Sequence, residues 1–235
     1  MRSGLGINKQ KSYDKDAVMT KRSRKFAQLV GEKISSVELI GDCLIYSPPH
    51  HIVRGFSLER TLDKDEFYMW NIVVPLFCAS MTNMTLNYSN RFSLAEDRNQ
   101  QKINICTDEK ELSGLVAQRL NEKIIPAWAE MFSVKNFLRE FDPRGDCGRI
   151  NMALDLAIAH CLGGSARIGK EKLEKVLEFE TESPIAPQVR EEAAGLLNAL
   201  EKGNGPFQDA ITVIENANIM KHFPSLTRIH AIPSR

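Results

Sequence analysis

The clearest structural signal in the sequence is the stretch at residues 37–46, which reads VELIGDCLIY. Two runs of apolar, β-prone residues flank Gly41 and Asp42, and two turn residues with glycine first are typical of a type II′ β-hairpin. Pro48 and Pro49 interrupt the pattern after the second run, because neither can donate to a strand ladder. The stretch therefore predicts an antiparallel sheet that begins with a tight hairpin.

Further strand patterns follow this hairpin. Residues 51–62 alternate, with Ile52, Phe56 and Leu58 in one row. Residues 67–77 are apolar on both faces, which is typical of a covered central strand, and pairing is expected to end at Pro75. Shorter strands are predicted at residues 84–89 and near 103–106, and a helix at 20–33 is predicted to cover the sheet.

From residue 107 onward the apolar spacing changes to the period of a helix. Thr107 is predicted to cap a helix with an acidic first turn, and a second helix is predicted to run through Pro126. The next predicted helix is apolar nearly all round, which indicates a buried centre, and short connections between the later helices indicate antiparallel hairpins. The predicted helices after the first occupy residues 124–141, 150–162, 169–179, 187–200 and 207–220.

These patterns together predict an α+β fold, with an antiparallel β-sheet and a covering helix in the N-terminal half and a helical-hairpin bundle in the C-terminal half. Four regions are expected: a basic flexible arm at residues 1–19, a sheet region at 20–106, a helical region at 107–222, and a tail at 223–235. The helical region can also pack with the sheet as one domain.

Composition narrows the class of protein. The 235 residues are 43% hydrophobic and 26% charged, which excludes a disordered chain and a disulfide framework. The longest apolar run, at residues 72–79, is interrupted by Pro75 and is too short for a membrane helix. No apolar segment follows the charged N-terminus, so we expect a cytoplasmic protein with reduced thiols and no membrane contact.

Positive charge is concentrated at the N-terminus, where residues 1–25 hold eight basic and two acidic side chains. Such an arm can bind nucleic acid or an acidic partner, or it can be a solvated terminus. Met19 is a second possible start that would shorten the arm. The candidate nucleic-acid contacts within it are Lys21, Arg22, Arg24 and Lys25.

Three local patterns imitate sites of known chemistry. Residues 164–170, GSARIGK, match the spacing of a phosphate-binding loop, but Glu171 replaces the hydroxyl residue and a helix precedes the loop. His160 and Cys161 are adjacent on a helix and point about 100° apart, so they cannot form one dyad. His50-His51 has no second pair of ligands at a recognisable spacing. We therefore assign no catalytic, cofactor or metal residues.

The least ordinary residue is Arg54, which alternation places in the same row as Ile52 and Phe56. A buried arginine needs a carboxylate, phosphate or carbonyl partner. That partner is either internal, with Glu59 and Glu66 nearby in sequence, or a ligand. The candidate binding residues are Arg54, Arg60, Asn71, Asn87 and Arg91.

Three functional hypotheses follow from these observations. The first is a non-enzymatic interaction or adaptor subunit of an intracellular complex, with a protein partner or a second copy of the chain. The second is a nucleic-acid-associated protein that uses the basic arm and the sheet arginines. The third is an enzyme whose site is assembled from scattered residues, most plausibly where the sheet meets the helices.

Overall fold

A computed structural model describes residues 21–40, 43–46, 51–61, 63, 65–78, 88–92, 102–104, 108–126 and 133–223. These residues confirm the α+β fold, because an antiparallel sheet occupies the N-terminal half and helices dominate the C-terminal half. The strands are β1 (Val37–Ile40), β2 (Cys43–Tyr46), β3 (Ile52–Arg60), β4 (Glu66–Pro75), β5 (Asn90–Phe92) and β6 (Lys102–Asn104).

The sheet has the order β1-β2-β3-β4, and the outer edge of β4 is shared by β5 and β6. Pairing of Ile40 with Cys43 confirms a two-residue hairpin, although the turn residues 41 and 42 lie outside the described residues. β4 ends at Pro75 as predicted. Of the strand predicted at 84–89, positions 84–87 lie outside the described residues, and the observed β5 begins at Asn90.

The described helices number seven, and six of them lie close to the predicted positions. They are α1 (Lys21–Gly31), α2 (Glu109–Arg119), α3 (Val134–Phe141), α4 (Ile150–Leu162), α5 (Ala166–Leu177), α6 (Ala186–Glu201) and α7 (Asn204–His222). A π-helical turn, Leu120–Ile124, extends α2, and a short 3₁₀ helix, Asp142–Arg144, follows α3.

Two helix boundaries differ from the sequence-based predictions. Asp108 caps α2 by accepting hydrogen bonds from the backbone of Lys110 and Glu111, so the cap is one residue later than the predicted Thr107. The helix predicted at 124–141 is wrong as a single element, because α3 starts afresh at Val134 under a cap from Ser133. Capping side chains override apolar spacing at such boundaries, since they satisfy the free backbone donors of a new helix.

Both faces of the sheet are covered at β4, as a strand apolar on both sides requires. One face packs against α1 and α2, with Phe26, Phe56 and Met69 in the shared core. The opposite face meets the end of α7, where Phe223 packs with Ile72 and other buried residues. Ion pairs at the surface of the first layer join α1 to α2, because Arg22 and Lys25 both contact the Glu109 carboxylate, at 2.9 and 3.2 Å.

The helical half is arranged around α4, as predicted from its apolar sequence. Ten of its residues are buried, and α5 lies antiparallel against it with α6 and α7 following. Sheet residues Ile52 and Val73 belong to the same core cluster, with Phe137 of α3 between the layers. The predicted regions at residues 20–106 and 107–222 therefore share apolar contacts, while the division into domains stays a prediction.

Gly169 on α5 allows the close approach of α4. A β-carbon at this position would lie 2.2 Å from Cys161 Sγ, 2.8 Å from Cys161 N and 3.0 Å from Ala157 O. Two of these atoms belong to the backbone of α4, so a side chain would push the helices apart. The glycine in the GSARIGK pattern therefore serves helix packing.

We expect Gly169→Ala to lower the free energy of unfolding by about 1–3 kcal/mol, as overpacking does in a close-packed core. Gly195→Ala on α6 is the matched control, because no atom lies within 4 Å of its added β-carbon. This control is expected to raise stability by up to about 1 kcal/mol through helix propensity. Urea denaturation measures both, and equal stabilisation by the two substitutions would contradict the packing role.

Candidate functional site

Arg54 is the most deeply buried charged residue among the described parts of the chain, with 1% of its surface exposed. Its described ionic partner is Glu140 on α3, with 3.6 Å between Arg54 Nη2 and Glu140 Oε2. Burial lowers the pKa of Arg54, and the Glu140 carboxylate opposes that effect. The ionic partner of Arg54 within the chain is thus Glu140 on a helix, not Glu59 or Glu66. Glu59 instead accepts a hydrogen bond from Trp70 Nε1 at 2.7 Å.

The sheet register brings only some of the predicted binding residues together. Asn71 pairs with Phe56 and Arg54 with Val73, so Arg54 and Asn71 are diagonal neighbours in one row. Arg60 belongs to the same row but lies about 20 Å away along β3. Arg91 pairs with Trp70, in the other row of β4, and Asn87 lies outside the described residues.

The four candidate nucleic-acid contacts at the start of α1 differ in whether carboxylates of the chain bind them. Arg22 contacts both Asp65 and Glu109, and Lys25 contacts Glu109. Arg24 is exposed, and Lys21 begins the helix. Two of the four cations are therefore held by carboxylates of this chain, which lowers the positive potential that they can offer to a phosphate.

A cluster of buried polar groups lies where the sheet meets the helices. Asp155 on α4, with 2% of its surface exposed, accepts hydrogen bonds from Cys78 Sγ at 2.9 Å and from Tyr88 Oη at 3.1 Å. Sequence analysis missed this group, although an acidic residue in the middle of an otherwise apolar helix was the available signal. A buried carboxylate without hydrogen-bond donors would destabilise the folded state, and the hydrogen bonds from Cys78 and Tyr88 reduce that cost.

Burial sets the protonation of this cluster. The pKa of Asp155 is raised from 3.8 to about 7, and burial is the largest cause. The nearby charge of Glu192 on α6 acts in the same direction, whereas the hydrogen bonds from Cys78 and Tyr88 lower this pKa. Burial also raises the pKa of the Cys78 thiol and of the Tyr88 phenol well above their ordinary values. Both donors are neutral at pH 7, so the cluster supplies no thiolate nucleophile.

Helix α7 is attached to the sheet next to this cluster. Asn218, buried in the middle of the attachment, donates from Nδ2 to the carbonyl oxygens of Leu76 and Cys78, at 2.7 and 2.8 Å. His51 Nδ1 lies 2.7 Å from Glu215 Oε1. This hydrogen bond to Glu215 raises the pKa of His51, although burial opposes it.

The outer face of α7 carries the most exposed large apolar side chains among the described residues. Val213 and Met220 are 69% and 63% exposed, whereas Phe207 and Ile211 on the inner face are buried. Seven residues correspond to about two helical turns, so Val213 and Met220 lie on the same side of α7. The exposed positions of this outer face combine apolar Val213, Ala217 and Met220 with polar Asp209 and Asn216, and the described part of the chain leaves them uncovered.

The patterns that imitate known sites have structural explanations. Ala166–Leu177 is helical, so most of GSARIGK forms the first turns of α5, and Lys170 Nζ binds Glu201 at 3.1 Å. His160 Nε2 lies 3.1 Å from Asp142, and Cys161 packs against Gly169. Among the described residues, no three His, Cys, Asp or Glu side chains lie close enough to hold a metal, and no helix is long and apolar enough to span a bilayer.

Comparisons with known proteins add no relative. No protein-family model matches the chain, and searches of the curated proteins and of the solved structures find no significant match.

We expect Glu140→Gln to lower the free energy of unfolding by about 1–2 kcal/mol, because it weakens the pairing of a buried charge. Arg144→Gln is the control: Arg144 is also 3.7 Å from Glu140 but is mostly exposed, and its guanidinium lies 4.8 Å from the centre of the Phe141 ring, so its loss is expected to change stability by less than about 1 kcal/mol.

The same Glu140→Gln substitution is expected to have little effect in an Arg54→Met background, where the buried charge is absent. Urea denaturation of the four variants of this cycle measures the coupling. Identical effects of Glu140→Gln in both backgrounds would contradict a structural role for the pair.

Proposed function

We propose that the protein is a non-enzymatic interaction subunit of a cytoplasmic multi-protein complex, and that the outer face of α7 binds the partner. The observation that carries this proposal is the exposure of Val213 and Met220 on a helix whose inner face is already buried. A helix that is apolar on both sides is typical of one that is covered on both sides. Here the described chain covers only one of them.

The position of α7 supports the same proposal. It is the last described helix of an antiparallel series in which α5, α6 and α7 each pack on the preceding helix. In stacked helical arrays a terminal helix usually has a polar outer face, which keeps the array soluble. The outer face of α7 instead offers Val213, Met220 and the small, exposed Ala217 between them.

The polar residues on this face indicate the chemistry of the partner. Asp209 and Asn216 are exposed and lie on the same side of α7 as Val213, one turn before it and one turn after it. The apolar anchors are thus bordered by Asp209 and Asn216 on one side and by the exposed Lys221, beside Met220, on the other. An amphipathic helix with apolar anchors along one face, and a basic side chain opposite Asp209, would match these properties. We infer that the partner contributes such a helix, which would stack on α7 as a further member of the array.

The nucleic-acid hypothesis remains the alternative proposal, and it rests on the basic arm and the sheet arginines. Of the arm residues at the start of α1, Arg24 is exposed, whereas Arg22 and Lys25 contact carboxylates of the chain. Binding through phosphates would weaken steeply with salt, whereas packing on an apolar helix face would not. The two hypotheses therefore make opposite predictions in high salt.

The test compares three tagged proteins in pull-downs from the native host: wild type, Val213→Gln/Met220→Gln, and Leu115→Gln. Leu115 on α2 is 55% exposed, so it is a matched control for an apolar side chain away from α7. Losing two apolar anchors is expected to weaken binding by about 2–4 kcal/mol, which reduces recovery more than tenfold. Quantitative mass spectrometry measures recovery, and thermal denaturation verifies that the fold is unchanged.

A stoichiometric protein that survives nuclease and high salt, and is lost only with the α7 double variant, would support the proposal once purified partner reproduces the difference. Equal recovery with all three proteins would contradict α7 as the surface. Partners lost with nuclease would favour the basic arm. Self-association abolished by the double variant would identify the partner as a second copy of this chain.

A further inference from the structure

The three residues that follow β4 are the attachment point of two helices. Asn218 of α7 binds the carbonyl oxygens of Leu76 and Cys78, and the Cys78 thiol donates to Asp155 of α4. One short segment, residues 76–78, is therefore held by α7 through its backbone and by α4 through its side chain. Cys78 is therefore in hydrogen-bond contact with both Asp155 of α4 and Asn218 of α7.

A second contact lies beside the first. His51, just before β3, binds Glu215 of α7, and its carbonyl oxygen accepts a 2.8 Å hydrogen bond from Leu76 N. The histidine is thus linked both to α7 and to the segment at residues 76–78. Asp155 and His51 can each gain or lose a proton. His51 contacts α7 directly through Glu215, whereas Asp155 contacts Cys78, whose carbonyl oxygen accepts a hydrogen bond from Asn218 of α7.

We propose that the junction beneath α7 is a proton-controlled clamp, in which protonated Asp155 and protonated His51 hold α7 and residues 76–78 against the sheet, and loss of these protons loosens α7. This inference concerns the attachment of α7 and goes beyond the proposed partner binding. It requires no partner to be present.

The surroundings of Asp155 explain why its proton matters. From the elements packed against it, the described titratable groups that face it are Cys78 after β4, Tyr88 before β5, and Glu192 on α6. None of them carries positive charge. Glu192 Oε2 is itself a buried oxygen that has no hydrogen-bond partner among the described residues. Deprotonation therefore places a charge in a site with 2% exposure that faces another carboxyl group.

The sign of the pH effect is the same for both groups. The pKa of Asp155 rises on folding from 3.8 to about 7, so the folded state holds a proton that the unfolded state releases, and stability falls as pH rises through this interval. The pKa of His51 is raised above 6.5 chiefly by its hydrogen bond to Glu215, so its contribution is present below 6.5 and is lost as pH rises through the folded-state pKa.

Two other carboxylates, Glu109 and Asp142, have pKa values that are shifted in the opposite direction. Hydrogen bonds from Arg22 and Lys25 lower the pKa of Glu109. Although burial raises the pKa of Asp142, hydrogen bonds from Lys172 and His160 hold it below its ordinary value. The stability that Glu109 and Asp142 provide is lost only in acid. Burial also raises the pKa of Glu192, so a change between pH 5 and 8 includes this group, and the variants of Asp155 and His51 identify the part that belongs to the proposed clamp.

Native-state amide hydrogen exchange between pH 5 and 8 tests the proposal on the whole protein. After correction for the intrinsic exchange rate, we expect the opening constant of α7 amides around Asn218 to rise at least tenfold across this range. Amides of α1, on the other side of the sheet, serve as the internal reference and are expected to change less. A flat profile for α7, or an equal rise in α1, would overturn the clamp.

Three variants make the test specific. Asp155→Asn and His51→Gln keep hydrogen-bonding groups but do not titrate, so the rise is expected to be smaller in each and below threefold in the double variant. Asp142→Asn, the control, is expected to retain the wild-type slope. An unchanged slope in the double variant would overturn the proposal, and the wild-type profile decides alone if a variant does not fold. Because no partner is used, failure here leaves the proposed function standing.

Discussion

The residues that follow strand β4 form hydrogen bonds with two helices of the C-terminal half. Pro75 terminates the ladder, and the next residues turn their polar groups toward helices: the backbone toward Asn218 and the Cys78 thiol toward Asp155. A buried carboxyl group is tolerated only when donors surround it. The positions of α4 and α7 therefore depend on the same few hydrogen bonds, and the apolar core packs around them.

Burial sets the protonation of the polar residues at this junction. The thiol and phenol are neutral donors because burial raises the pKa of each, and Arg54 is held by Glu140 against the same layer of helices. Hydrogen bonds and ion pairs of this kind fix the position of the helices relative to the sheet. The proposed recognition surface is instead the outer face of α7.

Local patterns predicted the elements well because alternation and helical spacing are local properties. The hairpin at Ile40 and Cys43, the end of β4 and the bounds of the buried helix α4 follow from neighbouring residues. The same reasoning was wrong at residues 124–141, where the cap at Ser133 starts a new helix. It also rejected a phosphate loop at residues 164–170 without finding the reason for Gly169, which is contact with another helix.

The α+β class and the order of strands and helices could both be read from the chain, because each depends on periodicity or on residues close together in sequence. Tertiary packing determines which of the polar side chains come into contact. Asp155 and Cys78 are separated by 77 residues, and nothing near either one indicates the other. The partner of Arg54 and the exposed side of α7 were likewise decided by packing, because long-range contacts and the order in which helices cover one another leave no local pattern.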